Sequence, residues 1–147
     1  MSKKINLRGL TEIIDPTYRY KMSQVSVIKQ KTKSIISNIG EVSKNVERDP
    51  QMLVEYLKTR LGLALKFDKV LDKIEIKSIE QSEVQNAIFE FIEWFVLCPT
   101  PCRNPETLLS KTKHDLIITC KACGHSNRVK DVNKAVSKTI EKLVKLL

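Results

Sequence analysis

The stretch CPTPCRNPETLLSKTKHDLIITCKACG at residues 98–124 contains all four cysteines of this 147-residue chain. Cys98 and Cys102 form one closely spaced pair, Cys120 and Cys123 form a second, and 17 residues separate the pairs, enough for a β-hairpin. Four thiolates complete the tetrahedral coordination of Zn²⁺ and leave no position open for a catalytic water. The spacing therefore predicts one structural zinc ion in a zinc ribbon, with a binding free energy on the order of 10 kcal/mol that also folds the ribbon.

Two other uses of these cysteines are open to the sequence. His114 or His125 could replace one thiolate as a zinc ligand, and the cysteines could instead form disulfides. The opening residues MSKKINLRGL contain no apolar segment typical of a signal peptide, so we expect a cytoplasmic protein in a reducing compartment. Metal binding is therefore the favoured interpretation.

The longest apolar stretch, AIFEFIEWFVLC, is interrupted by Glu90 and Glu93 and is too short to cross a bilayer. Within residues 82–95 the apolar side chains recur at helical spacing, with these glutamates on the opposite face. We therefore expect an amphipathic core helix, a solvated position for both glutamates, and no membrane contact.

Upstream of the cysteines, strand and helix signals alternate. Apolar alternation about polar turns predicts one hairpin over residues 25–36 and a second over residues 65–76. Between them, Asp49-Pro50 supplies an N-cap and a first-turn proline for a helix that Gly62 can end. The order predicts an α+β fold: an extended N-terminal arm, a small two-layer domain, a zinc ribbon and a final helix. The predicted boundaries are 1–22, 23–95, 96–130 and 131–147.

The final helix is predicted from its own periodicity. Asp131 can cap it, and apolar residues recur from Val132 to Leu147 opposite a row of lysines. We expect this amphipathic helix to pack on its own chain. A membrane surface or another protein is the alternative partner for a basic amphipathic helix.

The net charge of +9 is concentrated at the two ends of the chain. Residues 1–33 contain 8 basic and 2 acidic side chains, and residues 98–147 contain 10 and 4, whereas the middle of the chain is mildly acidic. Basic ends favour contact with phosphates, most often those of nucleic acid, and we expect Lys21, Lys29 and Lys31 to make such contacts. Lysines that only keep the protein soluble are the alternative.

The sequence does not indicate a self-contained enzyme. It has no GxxxxGK[ST] phosphate-binding loop and no recognisable Ser/His/Asp or Cys/His arrangement. Arg19 stands out instead, because it lies between Tyr18 and Tyr20 in the predicted arm. An arginine on a mobile segment can bind the phosphate oxygens of a partner, although a plain surface contact is the simpler alternative.

Six short stretches, taken in order, resemble a known family: YRYKM at 18–22, KSIISNI at 33–39, DPQMLVEYL at 49–57, and FVLCP, NPET and CKACG between residues 95 and 124. Together they are similar to the N-terminal domain of eukaryotic translation initiation factor five and to the related beta subunit of initiation factor two. The resemblance implies that the two-layer domain is similar to initiation factor one.

In factor five this region activates GTP hydrolysis by initiation factor two on the small ribosomal subunit, during start-codon recognition by initiator tRNA. The resemblance therefore implies a non-enzymatic activator acting in trans. Arg19 would stabilise charge on the transferred phosphoryl group and Lys33 would support it. The implied partners are the GTP-bound gamma subunit, the small ribosomal subunit and initiator tRNA, and we expect a monomer outside that complex.

Three features depart from the family pattern. The first cysteine pair has three intervening residues where the family usually has two, Glu55 stands where an activator lysine is expected, and the chain ends at Leu147 without the C-terminal helical-repeat domain of factor five. The alternative function is a structural partner resembling the beta subunit, which binds the gamma subunit stably and activates nothing. A nucleic-acid-binding zinc ribbon without initiation partners is the second alternative.

Overall fold

The structure is a computed structural model that describes residues 4–15, 17–99 and 102–147. Helices and antiparallel sheets together confirm the predicted α+β class. The elements are β1 (Lys4–Asn6), β2 (Lys21–Ser23), β3 (Val27–Lys29), β4 (Lys33–Ile36), α1 (Ile39–Asn45), α2 (Pro50–Leu61), β5 (Leu65–Asp68), β6 (Lys73–Lys77), α3 (Gln81–Phe95), β7 (Thr107–Lys111), β8 (Leu116–Cys120), β9 (Ser126–Arg128) and α4 (Lys134–Leu146).

A four-stranded antiparallel sheet with the order β3-β4-β6-β5 lies at the centre of the first domain. The two predicted hairpins are confirmed, and they join where β4 pairs with β6 so that Ile36 lies opposite Ile74. Because side chains alternate along a strand, Ile36, Ile74 and Ile76 share the inner face, where all three are buried. The sheet thus has one face in the core and one face in solvent.

Helix α2 begins and ends where the sequence predicts. The Asp49 carboxylate accepts a hydrogen bond from the Gln51 N–H at 2.8 Å, and Pro50 occupies the first turn. Gly62 ends the helix with φ +65°, a left-handed conformation that suits glycine because it has no Cβ. These signals place the buried face of α2 against α3.

Aromatic rings at the contact of α2 and α3 form the centre of the core. Tyr56, Phe91 and Phe95 are buried, with ring centroids 5.1 to 5.8 Å apart. The Tyr56 hydroxyl donates to the Glu90 carboxylate at 2.9 Å, and Arg60 donates to the same group. Burial, followed by the bond to Glu90, raises the pKa of Tyr56. The expectation that Glu90 is simply solvated is therefore wrong, since this carboxylate is the polar edge of the core.

The N-terminal residues pack against the core, whereas the sequence predicts an extended arm. Strand β1 pairs with β2, and the Leu7 N–H donates to the Tyr20 carbonyl at 2.9 Å. Leu7 is buried in the main hydrophobic core. The prediction of a free arm is therefore wrong for the described part of residues 1–22. Residues 1–3 and Pro16 lie outside the described residues.

The ribbon is a three-stranded sheet with the order β7-β8-β9, and it docks on the main core. Leu116 and Ile118 on β8, together with Val129 after β9, are buried and belong to the same hydrophobic cluster as α3. A small metal-bound sheet rarely buries enough apolar surface to fold alone, so this shared cluster adds hydrophobic stabilisation to that of the metal.

Arg48 joins the ribbon to the end of α3. Its side chain is 8% exposed and donates to the carbonyl oxygens of Phe95 and Thr107, each at 3.0 Å, and to the Thr107 hydroxyl at 2.6 Å. The last carbonyls of a helix have no partner within that helix, and Arg48 supplies one. Burial lowers the pKa of this guanidinium to about 10, so it stays charged at neutral pH.

Helix α4 begins later than predicted. Its N-cap is Asn133 in place of Asp131, because the Asn133 side chain accepts the Val136 N–H at 2.9 Å. Val132 and Leu147 are 41% and 40% exposed, so they lie outside the buried stripe that the sequence assigned to them. The helix itself is confirmed, and its start is corrected.

As expected, α4 packs on its own chain, against α2. The Lys142 ammonium lies 3.4 Å from the Glu55 carboxylate and donates to the Thr59 hydroxyl at 3.0 Å. Glu55, which departs from the family pattern, therefore has a local ion-pair partner on α4.

Among the described helices, none combines the length and the apolar character that crossing a bilayer requires.

Candidate functional site: a four-cysteine centre beside Arg19

The four predicted metal ligands come together at one end of the ribbon. Their sulfur atoms all lie within 4.8 Å of one another, with 3.7 Å between Cys98 and Cys123 and 3.8 Å between Cys102 and Cys120. A tetrahedral Zn²⁺ ion with Zn–S bonds of about 2.3 Å holds its sulfur ligands about 3.8 Å apart. The donor set and the spacing both fit such an ion.

Neither histidine belongs to this metal-binding cluster within the described ranges, so the histidine alternative for a ligand is wrong there. His114 and His125 are both exposed. In the first cysteine pair, Thr100 and Pro101 lie outside the described residues. Burial raises the pKa of the Cys98 thiol, which is a cost that metal coordination of the thiolate offsets.

We call residues 120–124 the second knuckle. The Cys123 N–H donates to the Cys120 sulfur at 3.4 Å, and the Gly124 N–H reaches the Cys120 carbonyl at 2.9 Å. Burial opposes ionisation of Cys120, but hydrogen bonds from the backbone of Cys123 and Ala122 outweigh it and lower its pKa to about 7. The backbone of the second knuckle therefore favours the thiolate that a metal needs.

Residues 98–104, the first knuckle, have an arginine where the second knuckle has a glycine. Arg103 follows the second cysteine of its pair as Gly124 does, and the two have φ values of +57° and +77°. Left-handed backbone costs a residue with a side chain roughly 1–2 kcal/mol. The Cys98 N–H donates to the Asn104 carbonyl at 3.0 Å and closes the knuckle. The residue after the second cysteine is thus left-handed in both knuckles, and the conformation is strained at Arg103 because arginine has a side chain.

The Arg103 side chain is held by Glu93 of α3. Both terminal nitrogens of the guanidinium contact the carboxylate, one of them at 2.6 Å, and the Glu93 side chain is only 10% exposed. The Leu10 N–H donates to the same carboxylate at 3.0 Å. The hydrogen bond from Arg103 holds the pKa of Glu93 below its usual range, against the opposing effect of burial. Glu93, expected on a solvated face, instead joins the first knuckle to the N-terminal segment.

A close contact with Gly9 fixes the position of Glu93 further. A Cβ atom at Gly9 would lie 2.5 Å from a Glu93 carboxylate oxygen and 2.9 Å from the Glu93 Cα. The second distance involves backbone, which cannot move as easily as a side-chain tip. The N-terminal segment therefore passes α3 at a point that only glycine allows.

Arg19 lies between two tyrosines, of which Tyr20 contacts the first knuckle. The rings of Tyr18 and Tyr20 meet edge to face with centroids 5.8 Å apart, and the Asn104 amide donates to the Tyr20 hydroxyl at 3.1 Å. The Arg19 guanidinium is 5.4 Å from the Tyr20 ring centroid, and its residue is exposed. The structure thus presents Arg19 to solvent next to Tyr20, which is bound through its hydroxyl and its carbonyl.

The lysines predicted for function lie at several other places. Lys33 forms a 3.0 Å ion pair with a glutamate of β6, on the outer face of the four-stranded sheet. Lys29 pairs with the N-cap residue of α3, Lys21 hydrogen-bonds to β1, and Lys31 is exposed at the hairpin turn. Within the described ranges, no hydrogen bond or ion pair joins Lys33 to Arg19.

Sequence reasoning missed the residues that connect the parts of this site. One usable signal for Asn104 was its position two residues after a cysteine. Side chains at such positions often cap the turn of a knuckle. Glu93 gave none, because helical periodicity put it on the polar face and nothing local revealed that a distant segment covers it. Arg48 was likewise an ordinary charged residue before a helix.

The sequence matches the family described as a domain found in initiation factors 2B and 5, over residues 11–126. It is 36% identical over 119 residues to Eukaryotic translation initiation factor 5 of Caenorhabditis elegans, which covers 78% of this chain and 27% of that protein. It is 35% identical over 120 residues to the protein of the same name from Mus musculus, which covers 77% of this chain and 28% of the relative.

A second group of relatives is archaeal and shorter. The chain is 31% identical over 109 residues to Translation initiation factor 2 subunit beta of Methanopyrus kandleri, covering 72% of this chain and 75% of that protein. This chain therefore spans little more than a quarter of the length of the factor 5 relatives but three quarters of this beta subunit. The family match includes Arg19 and the four cysteines and ends before α4 begins.

Proposed function

Because the chain belongs to the family of the domain found in initiation factors 2B and 5, we propose that it is a translation initiation factor and that it stimulates GTP hydrolysis by initiation factor two through Arg19. The proposed partners are the GTP-bound gamma subunit, the small ribosomal subunit and initiator tRNA. The chain would supply one side chain in trans and would hydrolyse nothing by itself. An arginine delivered in this way accelerates GTP hydrolysis by about 10³- to 10⁵-fold in other GTPases.

The observation that carries this proposal is an exposed Arg19 on an anchored segment. A guanidinium binds two phosphate oxygens at once, which suits it to the charge that develops during phosphoryl transfer. Ordering a free segment costs about 1–2 kcal/mol per residue in backbone entropy. Because Tyr20 is already bound through its hydroxyl and its carbonyl, much of that cost falls on folding and not on binding.

The ion in the four-cysteine centre is, in this proposal, Zn²⁺ with a structural role. It would contribute folding free energy and no chemistry, because four thiolates leave no ligand position for water or substrate. Its effect on Arg19 is indirect, since Asn104 belongs to the first knuckle and contacts Tyr20. Metal binding would therefore keep the Arg19 segment in place.

The basic residues away from Arg19 have a separate role in this proposal. Lys33 would support activation, and Lys21, Lys29 and Lys31 would contact phosphates of the ribosome or of tRNA. Phosphate contacts release counterions, so binding to the small subunit should weaken steeply as salt rises. Binding that does not change with salt would remove this part of the proposal.

Single-turnover GTP hydrolysis in reconstituted initiation complexes tests the proposal. We expect the wild-type chain to accelerate hydrolysis, Arg19→Ala to reduce the rate at least about 100-fold, and Arg19→Lys to recover only part of it because lysine lacks the two-nitrogen geometry. Lys138→Ala, which removes an exposed charge from α4, is the matched control and should activate normally. Equal acceleration by wild type and Arg19→Ala would disprove the activator function.

A structural role like that of a beta subunit is the alternative, and the extent of the archaeal match favours it. The chain covers 75% of the Methanopyrus kandleri subunit, much more than it covers of any factor 5 described above. A complex with the gamma subunit that survives purification, forms equally with Arg19→Ala and shows no faster hydrolysis would establish this alternative.

A further inference from the structure

A cavity of about 250 Å³ lies where the end of α3 meets the ribbon sheet, apart from the exposed Arg19. Its apolar lining comes from both parts of the molecule: Trp94 and Leu97 at the end of α3, and Ile118 and Val129 from the ribbon. Ligand sites in proteins are commonly found at such junctions between packed units. The cavity is somewhat smaller than the usual site for a drug-sized ligand, so it suits a single ring system.

Trp94 is the largest side chain in the apolar lining of this cavity, and it packs against the core with only part of its surface. It is the only tryptophan of the chain, and it is only partly buried, whereas its neighbours Phe91 and Phe95 are fully buried. No described residue accepts a hydrogen bond from its indole N–H. A large aromatic face that remains partly open in a cavity is a stacking surface for a planar ligand.

Three cationic side chains belong to the lining of the cavity. Arg103, from the first knuckle, has its planar guanidinium held in one orientation by its bond to Glu93 of α3. Arg128 and Lys130 lie on the ribbon side, and the nearest acid to Arg128 is Asp115, 3.7 Å away in a pair that is largely exposed. An exposed pair at this distance is worth little, so Arg128 can exchange it for an anion.

We propose that this cavity binds one base of a single-stranded RNA, stacked on Trp94, with the adjacent phosphates bound by Arg128 and Lys130. Bases of single strands stack on aromatic side chains and on arginine planes, while lysine and arginine follow the backbone. All of these groups line the same cavity. The surrounding region is also basic, with 10 basic and 4 acidic side chains over residues 98–147.

An acidic peptide with an apolar anchor is the competing ligand, and the residues favour RNA over it. Arg128 and Lys130 line the ring-sized cavity together with Trp94, as expected for a site that takes a base and its adjacent phosphates. A bound peptide would also need partners for its own backbone N–H groups, and Glu93, the acidic side chain in the lining, is already occupied by Arg103 and Leu10. This proposal does not depend on GTPase stimulation, since it concerns the free protein.

Trp94 fluorescence tests the proposal directly, because no other tryptophan contributes to the signal. The full zinc-loaded chain is titrated with the hexanucleotides rU6 and rA6 at low and at physiological salt. We expect saturable quenching that weakens as salt rises, and at least about 10-fold weaker binding for Arg128→Ala/Lys130→Ala. The control Lys138→Ala/Lys145→Ala removes the same charge from exposed positions on α4 and should change affinity less than about threefold.

Anisotropy of a labelled hexanucleotide extends the test to Trp94 itself. We expect Trp94→Phe to bind nearly as well as wild type, and Trp94→Ala to bind about 5- to 150-fold more weakly, because stacking is lost. Thermal unfolding of each variant verifies that the ribbon is intact. Three results would each overturn the proposal: no quenching by either hexanucleotide, an equal loss of affinity in the two double variants, or quenching by a hexaglutamate peptide that ends in phenylalanine but not by RNA.

Discussion

The two cysteine knuckles share a left-handed residue after their second cysteine but have different surroundings. In the second, Gly124 takes the left-handed conformation at no steric cost, and residues 121–128 are exposed. In the first, Arg103 takes the same conformation at a cost and uses its side chain to bind Glu93, while Asn104 binds Tyr20. The comparison teaches that the second knuckle reaches the helices through a weak exposed contact, the 3.9 Å ion pair of Lys121 with Glu47, whereas the first connects the cysteine cluster to the core and to the segment that carries Arg19.

The backbone strain at Arg103 is offset by the contact of its side chain with Glu93. A glycine there would relax the turn but would leave the Glu93 carboxylate, 10% exposed, without its cation. Removing one partner of a buried ion pair generally costs more than the left-handed conformation of a non-glycine residue. The chain therefore gains stability from a residue that is locally unfavourable.

Removal of the metal should have the largest effect, because both knuckles depend on it. A chelator should unfold the ribbon, with a loss on the order of 10 kcal/mol in a module of this kind. Since the first knuckle contacts Tyr20, we also expect trypsin to cleave after Arg19 faster in the chelated protein. Circular dichroism and mass spectrometry of the digests check the two effects. A ribbon that keeps its strands without metal would contradict the structural role of the ion.

Substituting the turn residue of each knuckle should change the free energy of unfolding by less than metal removal does. Gly124→Ala should cost about 1–2 kcal/mol from backbone strain alone, since no atom lies within 4 Å of the added Cβ. Arg103→Gly relieves strain yet should destabilise by about 1–3 kcal/mol, because it leaves Glu93 unpaired. Denaturant unfolding of the zinc-loaded proteins measures both. If Arg103→Gly is more stable than wild type, the Glu93 contact is worth less than the strain.

Titration of Glu93 should make the stability of the first knuckle depend on pH, and this effect should be smaller than that of the substitutions. Because the folded pKa of Glu93 is lowered, its contribution to stability is present above the unfolded value of about 4.3 and is lost as pH falls through the folded pKa. In Arg103→Gly the main cause of the shift is gone, so the pKa should rise. Carboxyl ¹³C NMR titration of both proteins measures this, and an unchanged pKa would mean that Arg103 does not determine it.

The sequence predicted the local elements well because their signals are local. The Asp49-Pro50 cap, the Gly62 stop and the alternation in both hairpins depend on nearby residues, and each is confirmed. The cysteine cluster was also predictable, because tetrahedral coordination allows few spacings. The start of α4 was missed by two residues because Asp131 and Asn133 are both good caps, and only the folded turn selects between them.

The contacts between distant segments could not be predicted in this way. Glu93 and Leu10 are 83 residues apart, Tyr20 and Asn104 are 84 apart, and no periodicity relates such positions. The contact between Tyr20 and Asn104 also explains why the prediction of an extended arm was wrong. YRYKM resembles an unstructured basic cluster until the ribbon is folded beside it. Polar contacts across a fold depend on tertiary geometry, which a propensity or a motif does not contain.

The central claim, that the first knuckle positions Arg19, is tested most directly by a double-mutant cycle between Arg19 and Tyr20, with single-turnover GTP hydrolysis as the measurement. Tyr20→Phe removes only the hydroxyl bound by Asn104, a hydrogen bond worth about 0.5–1.5 kcal/mol, and Tyr18→Phe is the matched control.

We predict that Tyr20→Phe slows hydrolysis about 2- to 10-fold when Arg19 is present, that it has no further effect in Arg19→Ala, and that Tyr18→Phe changes neither rate. Equal slowing by Tyr20→Phe in both backgrounds, or none in either, would contradict the claim.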